Sequence, residues 1–146
     1  MPDMSKDEIK SFLLKGTFTG KLGTINKDGT PHVVPIWYTI DEEDNIIFNT
    51  SNNSVKAKNI RRDNRIRLCV DDQSPLYSFV TIDGIAEIIS NEPSKIFKWA
   101  KIIAARYMGN DKAEKYGNRN SSEGELLIKI KPIRVIGQKD IAGLSA

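Results

Sequence analysis

The spacing of apolar residues changes from helical to alternating within the first twenty positions of the chain. Ser5 and Glu8 have the spacing of a capping box, and apolar residues follow at positions 9, 12 and 13. This pattern predicts a short helix that ends near Gly16. From position 18 the pattern alternates and predicts three strands, the first two joined by a hairpin turn at Asp28-Gly29: 18–26, 30–40 and 46–50.

The middle of the chain combines a capped helix with two further strands. Ser54 is a good helix cap, and the helix that follows it is predicted to reach about Arg62. Strands are predicted over 65–71, with Ile66, Leu68 and Val70 on one face, and over 76–89. Gly84 lies inside the second of these strands, where it predicts a bulge or a bend.

The last third begins with a helix and returns to strands. Ser90 or Asn91 is the predicted helix cap, Pro93 lies in the first turn, and five residues are predicted to face inward: Ile96, Phe97, Ala100, Ile103 and Ala104. Polar residues predict a loop over 110–122, and strand segments are predicted over 126–130 and 134–136, on either side of Pro132. Strands joined by hairpins, without repeated β-α-β units, favour a small antiparallel barrel.

Composition and charge exclude several classes of protein. The chain has 146 residues and one cysteine, which suits a single domain over 1–146 without a disulfide framework. No apolar run approaches the ~20 residues of a membrane span, and the segment from Met1 to Glu8 lacks a secretory signal, so we expect a cytoplasmic protein that contacts no membrane. The net charge is +3, yet six basic residues face one acid over 51–70. This local charge indicates an anionic partner.

The strongest candidate for such a partner site lies at the end of the third strand. The segment carries hydroxyl, amide and ammonium groups on Asn49, Thr50, Ser51, Ser54, Lys56, Lys58 and Asn59. Phosphate is bound by such donors at the positive N-terminus of a helix. A solvated surface helix has the same pattern, so the residues alone leave both interpretations open.

Other candidate groups give weaker signals. Pro35 inside a strand indicates an open ladder, which fits either an edge strand or a planar ligand beside Trp37. His32 is the sole histidine and has no patterned ligands around it, so we expect no metal site. Cys69 alternates with apolar neighbours and is predicted to pack structurally, while Trp99 and Phe97 are predicted to pack their helix onto the barrel. The arginines over 61–67 lack interleaved aromatics, so we expect no nucleic-acid binding.

The order and spacing of several segments resemble a known family. These segments are Leu22-Gly23-Thr24-Ile25, Asp28-Gly29-Thr30-Pro31-His32-Val33-Val34-Pro35-Ile36-Trp37, Ile47-Phe48-Asn49-Thr50, Ser54-Val55-Lys56-Ala57-Lys58-Asn59-Ile60-Arg61-Arg62-Asp63, Gly84-Ile85-Ala86-Glu87 and Arg106-Tyr107-Met108-Gly109. From Gly16 to Arg134 the chain resembles the flavin-binding split barrels of the pyridoxamine 5'-phosphate oxidase-like superfamily, closest to the branch that uses the deazaflavin F420.

This resemblance implies a mainly β protein with flanking helices (α+β), built on a six- to seven-stranded antiparallel split β-barrel. It also implies a homodimer with F420 or FMN at the subunit interface. The cofactor ring is expected along His32, Val33, Val34, Pro35, Ile36 and Trp37. The phosphate is expected among Asn49, Thr50, Ser51, Ser54 and Lys56, with Lys58 and Asn59 nearby.

Two departures from the family pattern refine the expected function. Val55 stands where many relatives have arginine, and Lys58 is expected to compensate. Positions 135–140 lack the tryptophan and arginine of enzymes that oxidise vitamin B6, so that activity is not expected. The expected function is hydride transfer between the cofactor and a small organic substrate, with no catalytic side chain assigned because the cofactor carries the chemistry. The alternative is a non-catalytic flavin- or F420-binding or carrier protein on the same fold.

Overall fold

A computed structural model describes residues 3–144; Met1 and Pro2, part of the segment assessed for a secretory signal, and Ser145 and Ala146 lie outside the described residues. Within this range, seven strands form one antiparallel sheet: β1 (Gly20–Ile25), β2 (Pro31–Ile36), β3 (Thr39–Ile40), β4 (Ile46–Ser51), β5 (Arg65–Asp72), β6 (Ser78–Ser90) and β7 (Glu125–Gln138). Four α-helices flank it: α1 (Lys6–Leu13), α2 (Val55–Arg62), α3 (Pro93–Met108) and α4 (Ala113–Arg119). None of these helices is long and apolar enough to cross a membrane.

The predicted strand over 30–40 is wrong, because the chain leaves the sheet at Trp37 and Tyr38. The strand order is β2-β1-β5-β6-β7-β4-β3, so the two segments flanking this break lie at opposite edges of the sheet. A flat sheet of seven strands would separate these edges by roughly 29 Å. The link from Ile36 to Thr39 spans at most roughly 11 Å. The sheet must therefore curl until its edges approach each other, which confirms the mainly β split-barrel architecture.

Arg106, in the last turn of α3, holds the seam between the two edges. Its guanidinium donates to the backbone carbonyls of Tyr38 at 3.0 Å, Leu13 at 2.9 Å and Gly16 at 2.9 Å. The Tyr38 hydroxyl donates to the same Leu13 carbonyl at 2.5 Å. Since α1 ends at Leu13, these bonds satisfy carbonyls that the helix leaves without partners. One arginine thus joins α1, the seam and α3.

The interior of the curled sheet follows the predicted alternation. Ile66, Leu68 and Val70 of β5 are buried on one face, as predicted, and they pack in the main core together with Phe12 and Leu13 of α1. The capping box of α1 is also confirmed. Outside the barrel, a second cluster attaches α3 to the sheet through Ile47, Ile96, Leu127 and Trp99, which confirms the predicted packing of Trp99.

Pro132 does not divide the last strand into two segments, as the sequence pattern predicted. β7 runs unbroken from Glu125 to Gln138, with Pro132 opposite Gly84 and Arg134 opposite Asp83. The register shifts between these two pairs, which confirms the predicted bulge at Gly84. A proline is tolerated at a bulge because a ladder N–H is not required there.

The predicted loop over 110–122 is also wrong, since it contains a 3₁₀ turn (Asn110–Lys112) and α4. Gly117 lets α4 approach α3 closely: a Cβ on this residue would lie 3.1 Å from Lys101 Cα and 3.1 Å from Phe97 Cε2. Phe97 therefore lies at the contact between α3 and α4, and its predicted packing on the barrel stays a prediction. Tertiary packing thus stabilises a short helix that its polar composition does not favour.

The N-terminus of α3 differs from the prediction by one residue. Glu92 is the N-cap, rather than Ser90 or Asn91, and Pro93 occupies the first helical position. Ser90 is the last residue of β6, and its hydroxyl accepts a hydrogen bond from the Glu92 amide at 3.0 Å. The chain therefore turns from strand to helix through this bond. Among the predicted inward residues of α3, Ile96, Ala100, Ile103 and Ala104 are buried.

The seam predicts a loss of stability at alkaline pH. Burial raises the pKa of Tyr38 to about 12, whereas a tyrosine in an unfolded chain titrates near pH 10. The contribution of the neutral hydroxyl is therefore complete below pH 10 and is lost as the pH rises from 10 to 12. We expect the free energy of unfolding to fall by about 2 kcal/mol over this interval relative to Tyr38→Phe. Urea unfolding of both proteins at pH 9 and pH 11 covers the first half of this loss, so wild type should lose about 1 kcal/mol more than Tyr38→Phe. Equal pH slopes would contradict this.

Candidate functional site

A cleft of about 570 Å³ lies beside the seam, where β2, β4, α2, α3, α4 and β7 meet. Its lining is Pro35, Ile36, Trp37, Asn49, Lys56, Ala100, Ile103, Arg119, Asn120 and Glu125. The first five of these residues were predicted as site residues from the sequence. The fold therefore brings part of the predicted ring-binding segment and part of the predicted phosphate-binding segment to one cleft.

Trp37 forms an aromatic wall of the cleft and is held by α3. Its ring stacks on that of Tyr107, with centroids 5.1 Å apart and planes 5° from parallel. The Tyr107 hydroxyl donates to the Phe18 carbonyl at 2.7 Å and accepts from the Tyr38 amide at 3.4 Å. The last turn of α3 thus fixes Trp37 through both its ring and the backbone of the next residue. β2 is an edge strand, and Pro35 also lines the cleft.

The opposite side of the cleft is formed by the end of β4 and the start of α2. Ser54 caps α2, and its hydroxyl oxygen accepts from the Ala57 amide and from the Thr50 hydroxyl, both at 3.1 Å. The amides of the first turn of a helix have no intrahelical acceptors, so those of Val55 and Lys56 are available to a ligand. This turn also carries Lys56, which lines the cleft.

Lys56 and Glu125 bring opposite charges into the same cleft. Burial lowers the pKa of Lys56 and raises that of Glu125, and the attraction between the two groups opposes both shifts. The Asn49 amide donates to Glu125 Oε1 at 3.0 Å and to the Asn120 carbonyl at 2.6 Å. Arg119 adds a second cation to the lining.

This set of groups fits a phosphate-bearing aromatic cofactor. The ammonium of Lys56, in the first turn of the capped helix α2, is a donor suited to a phosphate. Ile36, Trp37 and Ile103 supply apolar and aromatic surface suited to a planar ring. Both kinds of surface occur within one cleft.

Eight of the thirteen predicted site residues do not line this cleft: His32, Val33, Val34, Thr50, Ser51, Ser54, Lys58 and Asn59. His32 and Val34 of β2 lie opposite Thr24 and Leu22 of β1, and therefore share the faces of those buried residues, while Val33 is 62% exposed. Lys58 is exposed on α2 and does not line the cleft, and its compensation for the arginine missing at position 55 stays a prediction.

Asn59, also outside the lining, is buried, and its side chain is fully hydrogen-bonded within the protein. Its amide nitrogen donates to Thr24 Oγ1 and to Asn26 Oδ1, each at 3.0 Å. Its oxygen accepts from the Arg62 guanidinium at 3.2 Å. These bonds attach α2 to β1 and leave Asn59 a structural role.

Two of the remaining predicted residues support the start of α2. Thr50 is buried and bonds to Ser54, as described above, whereas Ser51 is exposed and its hydroxyl accepts from the Asn53 amide at 3.2 Å. Both residues lie at the end of β4, directly after Asn49, which lines the cleft.

Sequence reasoning missed Arg119, Asn120 and Glu125. A signal for the first two existed, because Ala113, Tyr116 and Gly117 have the spacing of a helix face, and a helix there places Arg119 near its end. Glu125 had no such signal. It reaches the site because β7 pairs with β4, which is a long-range contact.

The arginines of the basic segment have internal acceptors. Arg65 pairs with Asp63 and Arg67 pairs with Asp83, each at 2.7 Å, while Arg61 donates to the Asn52 carbonyl and Arg62 donates to the Ile25 carbonyl, each at 3.1 Å. These contacts pair the four arginines with carboxylates or carbonyls of the protein itself. The absence of nucleic-acid binding stays a prediction.

Comparison with known proteins identifies the family. The model of the pyridoxamine 5'-phosphate oxidase family matches residues 5–139. The chain belongs to this family. No curated protein matches the sequence significantly.

Three solved structures are similar to this chain. A conserved hypothetical protein from Mycobacterium tuberculosis is 27% identical, with a TM-score of 0.82 over 98% of this chain and 91% of that one. An F420 reductase is 23% identical, with a TM-score of 0.68 over 86% and 94%. An FAD-binding protein from Mesorhizobium loti is 18% identical, with a TM-score of 0.70 over 93% and 95%. The latter two likenesses show the fold.

The structural role of Asn59 predicts the outcome of its removal. Asn59→Ala removes the hydrogen bonds to the buried Thr24 hydroxyl of β1 and to the partly buried Asn26 side chain, so the free energy of unfolding should fall by about 2 kcal/mol. Lys58→Ala, one residue earlier on the exposed side of α2, is the control and should stay within about 0.5 kcal/mol of wild type. Urea unfolding measures both, and an unchanged Asn59→Ala protein would refute the structural role.

Proposed function

We propose that this member of the pyridoxamine 5'-phosphate oxidase family binds FMN or F420 in the cleft and transfers hydride between that cofactor and a small organic substrate. The observation that carries the proposal is the joining of two surfaces in one cleft. The Trp37 wall suits a planar ring, and the start of α2 with Lys56 suits a phosphate.

Different residues of the cleft hold different parts of such a cofactor. Lys56 and the first-turn amides of α2 hold the phosphate. Trp37, fixed by its stack on Tyr107, orients the ring against the edge of β2. Ala100 and Ile103 of α3 exclude water from the same space. A flavin or deazaflavin, when bound, supplies the hydride-carrying ring.

The protein groups lining the cleft are consistent with this division. The lining contains no histidine or cysteine, so the chain offers binding, orientation and electrostatics rather than a nucleophile. Hydride transfer from the reduced cofactor to a panel of acceptors tests the catalytic part of the proposal. Tight binding without turnover on any acceptor would identify a carrier instead.

Lys56→Ala tests the phosphate contact. Loss of a charge-assisted hydrogen bond of about 1.5–3 kcal/mol should weaken cofactor binding roughly ten- to a hundredfold. The free energy of unfolding should change little, because the half-buried ammonium forms no ion pair with a carboxylate within 4.0 Å among residues 3–144. Fluorescence titration at modest salt measures the affinity. Lys112→Ala, in the 3₁₀ turn outside the cleft, should bind as wild type does, and equal affinity in Lys56→Ala would contradict the assignment.

We further propose that the protein is a homodimer. Apolar side chains are exposed on strands β2 and β7, notably Val33 at 62% and Ile133 at 69%, and a second copy would cover such residues. Light scattering at micromolar concentration with cofactor present should give the dimer mass. A monomer mass under these conditions would refute the dimer.

A further inference from the structure

Glu125 places a carboxylate on the side of the cleft proposed to hold the phosphate. It is the first residue of β7 and lies directly opposite Ser51, the last residue of β4. Its side chain is half-buried, and the Asn49 amide donates to Oε1 at 3.0 Å. Because the same Asn49 nitrogen also donates to the Asn120 carbonyl, the amide is held in place and keeps the carboxylate within the cleft.

The carboxylate is not neutralised by a direct ion pair. Lys56 attracts Glu125, yet no Lys56–Glu125 ion pair within 4.0 Å occurs in the described part of the chain. The second cation, Arg119, lies over the Tyr116 ring at 5.7 Å. The charged lining is therefore two cations and one anion, all of which act on a bound phosphate.

A fixed negative charge acts unequally on different phosphates. Coulomb energy is proportional to the product of the charges, so a dianion is repelled about twice as strongly as a monoanion at the same position. A phosphomonoester carries a charge of about −1.5 to −2 at pH 7. A phosphodiester has one ionisable oxygen and carries a single negative charge.

We propose that Glu125 is a specificity-determining residue that makes the cleft favour a phosphodiester over a phosphomonoester. The inference rests on the proposed function, because it assumes that the phosphate of a cofactor lies beside Lys56. FMN is a phosphomonoester and F420 contains a phosphodiester. Glu125 therefore directs the choice between these two cofactors towards F420.

Glu125→Gln tests this with three flavins that carry no phosphate, a monoanionic phosphodiester or a phosphomonoester. The variant keeps an oxygen that accepts from Asn49 and removes the negative charge. The three probes are riboflavin, riboflavin 4',5'-cyclic phosphate, which is a monoanionic diester, and FMN. Relative to wild type, affinity should stay unchanged for riboflavin, rise about threefold for the cyclic diester and rise about tenfold for FMN, since the repulsion roughly doubles with the charge. Glu123→Gln, an exposed site two residues earlier, should change none of the three.

Equal changes for all three flavins, or no gain for FMN over the cyclic diester, would overturn the inference. If wild type binds no flavin and no F420, the proposed function fails, and the anion site is then tested without a ring. Phosphorus NMR titrations with methyl phosphate and dimethyl phosphate serve this purpose. Glu125→Gln must then raise affinity for methyl phosphate more than for dimethyl phosphate. An equal effect, or no binding of either by both proteins, would also overturn it.

Discussion

The structure depends on a link of two residues, Trp37 and Tyr38, between the opposite edges of a seven-stranded sheet. Such a short link forbids a flat sheet and forces the strands to curl around one core. The seam must then be held from outside, because β2 and β3 do not pair with each other. Arg106 holds it by bonding to the Tyr38 carbonyl and to the end of α1. Closure of the barrel and docking of α1 and α3 therefore depend on the same contacts.

The cleft is a consequence of this closure. Trp37 is both half of the link and the aromatic wall, and Tyr107, next to Arg106 on α3, sets the angle of its ring. The polar side has a separate origin, since the β4–β7 pairing brings Glu125 beside the end of β4, where Ser54 then starts α2. The proposed ring contact thus comes from the link after β2, whereas the proposed phosphate contact comes from the end of β4 and the start of α2. Both contacts lie in one cleft.

Local signals predicted much of the fold. The capping box at Ser5, the hairpin at Asp28-Gly29 and the bulge at Gly84 each depend on a few neighbouring residues, and each is present. The break at Trp37 was not predictable in this way, because the alternation continues across it and β3 leaves only to pair with β4. Glu125 was not predictable either, because it reaches the cleft through the long-range pairing of β7 with β4. The helix α4 was not predicted because its composition is polar and its stability comes from the packing of Gly117 on α3.

The central claim is that one cleft takes both the ring and the phosphate of a flavin-type cofactor. A crystal structure of the protein grown with FMN or F420 tests it most directly. The account predicts that the ring lies against Trp37 and the edge of β2, with a phosphate oxygen within hydrogen-bonding distance of Lys56 Nζ. A cofactor bound elsewhere, or a phosphate held by the arginines of α2 and β5 while Lys56 stays free, would contradict it.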